Sequence, residues 1–291
     1  MGTPRVDELD RVVDALVGWQ VDDGPLHLHP GDLGWHSMRG ARATAAALRI
    51  WSSGRRILAL GLLDGPQLLR MAVDPEMRDD DELAHRVLAD VNDPERGALH
   101  AGSATVEARG AHRLAGLLGE HGWRPDELWT PFHRDLSVPV LDVGLRVETI
   151  EPDRADAWVA VHWSAFRGAP FTEEDRRRAL GRWLTMAAGP LYAGARSLTA
   201  LDPHGSVVAV ATVWSAGPGR PGLLEPMGVH RDHRGRGYGT AVTRAAAATL
   251  REMGASSAVV CAESSNAGAV STYAAAGFTA HEQVADLRRS A

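Results

Sequence analysis

The chain reads as two copies of one plan, and that duplication constrains its fold more than any other feature. In the second copy a short apolar segment, 198–201, leads into the turn residues Asp202, Pro203, His204 and Gly205. The β-branched run 207–213 then predicts a strand, a Gly/Pro loop spans 217–222, and a further strand is expected over 223–229. The first copy has the same order: 49–51, a turn at Ser52, Ser53 and Gly54, a strand over 57–63, and a strand over 68–73. Asp64-Gly65 between the last two is a hairpin cue. Downstream landmarks keep step. Val73 precedes Arg78 by five positions, as Val229 precedes Arg234. Gly122-Trp123 begins 49 positions after Val73, and Gly277-Phe278 begins 48 after Val229. Each pair follows a predicted helix, 111–120 and 267–276.

Composition fits two ordinary domains. A chain of 291 residues with 44% hydrophobic residues and a net charge of -6 has ample material for a core and is not disordered. The expected seam is 135–140, where Pro139 suits a connection better than a central strand. The boundary is placed near 138, giving units of 1–137 and 138–291. Apolar positions 6, 9, 12, 13, 16 and 17 predict an N-terminal helix over 6–19 that packs on the first unit, with partner binding as the alternative. The single cysteine, Cys261, excludes an intrachain disulfide and makes a cysteine-ligated metal improbable, so no metal is expected. Apolar runs such as 207–214 are far short of a membrane span, and residues 1–10 do not read as a secretory signal. A cytoplasmic protein with no membrane or nucleic-acid partner is the expectation, with a homodimer left open.

The second copy carries an anion-binding signal. Residues 229–240 run from a strand end through Arg234, Gly235, Arg236, Gly237, Tyr238 and Gly239 to a helix predicted from Thr240 to about 253. Glycine lets successive amides turn toward one point, and the first helical turn adds unpaired N–H groups and the positive end of the dipole. Arg231, Arg234 and Arg236 add positive charge, so the turn suits a pyrophosphate. The spacing is neither the three-glycine dinucleotide pattern nor a P-loop, which disfavours dinucleotides and nucleoside triphosphates.

Residues 234–239 match the Arg/Gln-x-x-Gly-x-Gly/Ala motif, and this part of the chain resembles the GNAT superfamily of acetyl-CoA-dependent N-acetyltransferases. Asn266, Ala269, Tyr273, Gly277 and Phe278 fit that family's Asn-x-x-Ala-x-x-x-Tyr-x-x-x-Gly-Phe segment. The resemblance covers roughly 145–290, and the paired layout is similar to tandem-domain members. It implies an α/β (α+β) fold of two tandem units, each a mixed, mostly antiparallel, splayed sheet flanked by helices. It also implies that the strands 223–229 and 257–261 diverge around the pantetheine arm of acetyl-CoA. Backbone groups of Met227, Gly228 and Val229 would pair with that arm, and 234–240, with Asn266, would complete the cofactor site. Pro226 points the same way independently, since a proline in an otherwise central strand marks a bulge or an unpaired stretch.

Acetyl transfer needs aligned reactants, a neutral amine and a proton for the leaving thiolate. The motif places Tyr273 where it can supply that proton; the alternative is a packed tyrosine with a solvated hydroxyl. Glu225 is the candidate base, or the carboxylate that orders a water relay. Tandem members carry their strand carboxylate further upstream, where this chain has Leu223, so a solvated or substrate-binding role for Glu225 stays open. His230 and His233 read as phosphate-side or surface residues, and Cys261 as a buried, inert thiol. Residues 157–171, with Trp158, His162, Trp163 and Phe166, are expected on the acceptor side, as a cleft lining or as core.

The first copy has lost these features. Arg78, Asp79, Asp80, Asp81, Glu82 and Leu83 stand where 234–239 stand in the second, so four acidic side chains replace the glycine turn. Such a loop repels a pyrophosphate. No tyrosine lies in 112–122. The expectation is therefore an N-acetyltransferase acting on the amine of a small molecule, with a competent second unit and a structural first unit. The alternatives are an acyl-CoA sensor without chemistry and an acetyltransferase acting on proteins or peptides.

Overall fold

The computed structural model describes residues 1–140 and 144–290. The strands are β1 (Leu48–Ser53), β2 (Arg56–Leu63), β3 (Leu68–Val73), β4 (Ala104–Glu107), β5 (Arg124–Asp135), β6 (Val147–Thr149), β7 (Ala195–Leu201), β8 (Val207–Trp214), β9 (Gly222–Val229), β10 (Ser257–Glu263), β11 (Thr279–Ala280) and β12 (Val284–Arg289). The helices are α1 (Leu9–Trp19), α2 (Pro30–His36), α3 (Ala41–Ala47), α4 (Asp81–Asn92), α5 (His112–Glu120), α6 (Ala155–Phe166), α7 (Glu173–Ala187), α8 (Tyr238–Glu252) and α9 (Ala267–Ala275). The architecture is mixed α/β, as the resemblance implied. All pairings are antiparallel except β3 with β4 and β9 with β10.

Each half contributes a splayed block, and the two blocks join into one sheet of order β1-β2-β3-β4-β12-β5-β10-β9-β8-β7-β6. The last strands of the two halves are exchanged. β5 belongs to the first half in sequence but pairs with β10, with Ser257 opposite Asp135 through Glu263 opposite Trp129. β12 closes the second half in sequence but pairs with β4, Leu287 facing Val106. β5 and β12 also pair with each other, Val284 opposite Trp129. Residue 138, the expected boundary, falls in the connection between β5 and β6.

Local rules account for most elements. Helix α1 buries Leu9, Val12, Leu16 and Trp19 against Leu28, Leu33, Leu48 and Leu60, so the N-terminal apolar face packs on the first half. Val6 stays exposed in a short 3-10 turn ahead of it. Asp80 caps α4, its carboxylate accepting from the amide of Leu83 at 2.7 Å. The acidic stretch therefore satisfies its own helix terminus. Leu118 and Tyr273 hold corresponding places, each accepting with its carbonyl from the aromatic residue after the closing glycine, Trp123 or Phe278. In the first half the hydroxyl-bearing side chain is thus a fully buried leucine.

The two splays are filled differently. β3 pairs with β4 only at Leu68, Leu69 and Arg70. Just beyond, the amide of Leu28 donates to the carbonyl of Met71 at 3.1 Å. A Cβ on Gly110 would meet Pro25 at 2.3 Å, so residues 25–28 fill the opening of the first half. In the second half β9 pairs with β10 only at Gly222 and Leu223, and beyond that its edge toward β10 is unpaired.

Several histidines are held neutral by packing. His162 lies flat against Trp158, ring centroids 5.1 Å apart, and burial pushes its pKa down to about 4. A histidine whose folded pKa lies below its unfolded value contributes stability above about pH 6.5 that is lost as pH falls toward the folded pKa. His162→Phe keeps the stack and removes the titration. Its loss of stability between pH 7 and pH 5 should be smaller than that of the parent protein by on the order of 1–2 kcal/mol, measured by denaturant unfolding at both values. An equal loss in the two proteins would show that His162 does not titrate in this window.

Candidate active site

The divergence of β9 from β10 starts a cleft with two chambers. The outer chamber, about 570 Å³, is lined by Met227, Gly228 and Val229 of β9, the turn at Arg234, Gly235 and Gly237, the start of α8, and Asn266 to Thr272 of α9. The inner one, about 310 Å³, lies between the two halves. Phe166 and Met227 line both.

The outer chamber is shaped by glycine. Gly235 and Gly237 have φ of +74° and +82°, in the left-handed region where side chains are strained. Gly237 is the N-cap of α8, whose first-turn amides have no carbonyl partner within the helix. Gly228 lets α6 approach, since a Cβ there would lie 2.7 Å from Ala165. On Gly239 it would lie 3.2 Å from Thr272 and 3.3 Å from Val229. The β9 backbone and the unpaired amides at the start of α8 are thus brought to one surface. Most residues singled out from the sequence line it: Met227, Gly228, Val229, Arg234, Gly235, Gly237, Tyr238, Gly239, Thr240 and Asn266. Arg236 is exposed and stands off the lining. The Arg234 guanidinium donates to the carbonyl of Ala165 at 2.8 Å, and the Asn266 carboxamide caps α9 by accepting from Ala269 at 3.1 Å.

The inner chamber brings together Tyr273, Glu225 and Cys261 with Arg70, Glu107, Arg109 and Trp129 of the first half. Tyr273 is 6% exposed, its ring set among Phe132 and Phe278, and no described residue hydrogen-bonds its hydroxyl. Burial raises its pKa, so it keeps its proton at neutral pH. Glu225 sits at a bulge. Met227 faces Ala211 and Leu224 faces Val213, leaving Glu225 and Pro226 opposite Thr212 alone. The Glu225–Pro226 peptide is cis. The indole of Trp214 donates to the Glu225 carbonyl at 2.7 Å, which fixes the bulge. The carboxylate is open to the chamber, with its nearest cation, Arg70, at 3.9 Å. Removal from bulk water raises its pKa, Arg70 lowers it, and Glu107 and Asp64 add to the rise. Cys261 is pushed up to about 11 by burial, although Arg109 opposes the shift, so it is a thiol and not a thiolate.

The sequence did not point to the first-half wall. Arg70 bridges Asp32 at 2.9 Å and Glu107 at 3.2 Å; Arg109 bridges Glu107 at 3.5 Å and Asp286 at 3.3 Å. Only the arginine and carboxylate types were visible; three of the pairs form within the first half, and that of Arg109 with Asp286 depends on the strand exchange. Of the aromatic residues in α6, Phe166 reaches the chambers, whereas Trp158 is core.

Comparison with known proteins follows the same division. The family model described as the acetyltransferase (GNAT) family matches residues 156–278. A mycothiol acetyltransferase of Thermobispora bispora is 33% identical over 178 residues, covering 58% of this chain and 58% of that relative. The chain thus spans little more than half the length of that relative. A protein of the same name from Pseudarthrobacter chlorophenolicus is 29% identical over 237 residues, 74% of this chain and 68% of the relative. Among solved structures, a tandem GNAT protein from the clavulanic acid biosynthesis pathway has a TM-score of 0.60 at 21% identity, covering 99% of this chain and 96% of that one. It therefore shares the fold along nearly the whole length.

The bulge depends on one indole. Trp214→Phe leaves the Glu225 carbonyl without its donor and opens space beside Gly31 and Gly34, whose Cα atoms lie close under the indole. It should cost about 2–4 kcal/mol in denaturant unfolding. A change below about 0.5 kcal/mol would show that the bulge holds without this bond.

Proposed function

We propose, for a chain whose residues 156–278 form an acetyltransferase domain of the GNAT family, that it transfers the acetyl group of acetyl-CoA to the amine of a small molecule. In this reading 138–291 carry the chemistry and 1–137 are structural, adding one wall of the inner chamber. The observation that carries it is the continuous path from the glycine turn and unpaired β9 edge to the chamber holding Tyr273 and Glu225.

The residues present fit acetyl-CoA. Amides at the start of α8, with Arg234 beside them, suit the pyrophosphate, and Met227, Gly228 and Val229 offer a free strand edge to the amides of the pantetheine arm. Acetyl-CoA supplies the thioester. Glu225 accepts a proton from the incoming ammonium, leaving a neutral nitrogen to attack; its raised pKa makes it a stronger base than an ordinary carboxylate. The C–N bond forms and the C–S bond breaks. Tyr273 donates its hydroxyl proton to the departing sulfur and is reprotonated by the proton that the acetylated nitrogen gives up. The thiol of Cys261 takes no part.

Relatives named for mycothiol support a small-molecule acceptor over a protein. A sensor without chemistry has no use for a tyrosine hydroxyl opening into the chamber beside Glu225. The first half supports a structural role twice over, through residues 25–28 filling its splay and Asp80 capping α4.

Tyr273→Phe should slow coenzyme A release by about 100-fold. Acetyl-CoA affinity, read by calorimetry, should stay within about threefold, because the hydroxyl faces the acceptor chamber rather than the pyrophosphate. Gly237→Val should weaken acetyl-CoA binding by at least about tenfold, since the left-handed N-cap excludes a branched side chain. Binding without thiol release on any amine would establish the sensor instead.

A further inference from the structure

The inner chamber holds more carboxylates than its cations satisfy. Asp64, Glu107, Glu225 and Asp286 line it, and Asp32 stands behind Arg70. Against these five carboxyl groups the chamber presents two guanidiniums, Arg70 and Arg109. Both are already engaged. Arg70 is held by Asp32 and Glu107, and Arg109 by Glu107 and Asp286. No described residue hydrogen-bonds Oδ2 of Asp286, and the nearest cation to Asp64 is Arg39, at 3.7 Å. The chamber walls also hold Tyr273, a residue only 6% exposed whose hydroxyl no described residue hydrogen-bonds.

Excess negative charge in a cavity partly withdrawn from water is unfavourable unless a cation enters it. Burial lifts Asp32 to about 7 and Asp286 to about 6, and their arginine partners only partly oppose the rise. A single ammonium opposite Glu225 answers one carboxylate. Even with Arg39 beside Asp64 counted, the carboxyl groups outnumber the guanidiniums by two, so a second charge remains, near Asp286 on the exchanged strand β12 and Asp64 in the β2–β3 turn.

We propose that the acceptor carries two cationic groups, the reacting amine facing Glu225 and a second, non-reacting ammonium held by Asp286 and Asp64. This rests on the acetyltransferase reading and names its substrate class as a diamine or diamino sugar. Glu107 acts through the arginines as a positioning residue, while Asp286 and Asp64 set specificity. The aromatic faces of Trp129 and Phe166 cover the carbon skeleton between the two charges.

Calorimetric titration of the full chain tests this independently of turnover. The probes are 1,4-diaminobutane and 1,5-diaminopentane against 1-aminobutane and 1-aminopentane, and a 2,6-diaminohexose against a 2-aminohexose. At least one diamine should bind tenfold or more tightly than its monoamine partner. Asp286→Asn should shrink that ratio to threefold or less. Asp64→Asn, at the half-exposed mouth, should reduce it without disturbing the Arg109 pair, and so covers the case in which the Asp286 variant fails to fold. Equal binding of diamines and monoamines in all three pairs, or an undiminished ratio in a folded variant, overturns the proposal. Preferential diamine binding with no coenzyme A release from acetyl-CoA would leave the two-cation site standing and remove the acetyltransferase reading.

Discussion

Pairing of β5 with β12 joins the halves, and the rest of the structure depends on it. Each of these strands lies next to a strand of the other half, β5 on β10 and β12 on β4. The exchange turns two splayed sheets into one and leaves no open edge at their junction. It also decides what faces the inner chamber. Trp129 arrives on β5 and Asp286 on β12, so the chamber has walls from both halves. The first half supplies Arg70, Glu107 and Arg109 to that lining.

Duplication followed by divergence is visible in how the two copies treat the same backbone opening. In the second half the β9 edge stays free beside a left-handed glycine N-cap. In the first, Leu28 bonds to Met71 and Asp80 caps α4. There the Met71 carbonyl accepts from Leu28 and the Leu83 amide donates to Asp80, so these groups have partners within the chain. The chain that fills the first opening then continues into α2. There Asp32 reaches Arg70, and a Cβ on Gly34 would sit 2.2 Å from the ring of Trp214, the residue that fixes the Glu225 bulge. The filled opening of one half is thus connected through packing to the Glu225 bulge of the other.

Much of this was legible in the sequence because it depends on neighbours a few residues apart. The β-branched run 207–213 gave β8, the segment after the Gly/Pro loop gave β9, the Asp64-Gly65 pair gave the β2–β3 hairpin, and the spacing of apolar residues gave α1. Pro226 marked the bulge, and the glycines of 234–239 marked the turn. β5 and β12 were not legible. β5 has prolines at 125 and 131 and charged residues along its length, and β12 has only six residues, half of them charged. Neither carries the alternation that identifies a strand, and their positions are set by partners in the other half.

The sequence by itself therefore determined the duplicated plan, the glycine turn ahead of α8, its replacement by acidic residues in the first copy, and the residue types at Tyr273 and Glu225. Only the tertiary structure decided which last strand lies beside which half, what fills the first opening, and that Arg109 meets Asp286 across 177 positions. Backbone conformation is governed by sterics and hydrogen bonds over a few residues, which leave a local imprint. The charge balance of a cavity is a sum over groups that folding alone brings within Coulombic reach of one another.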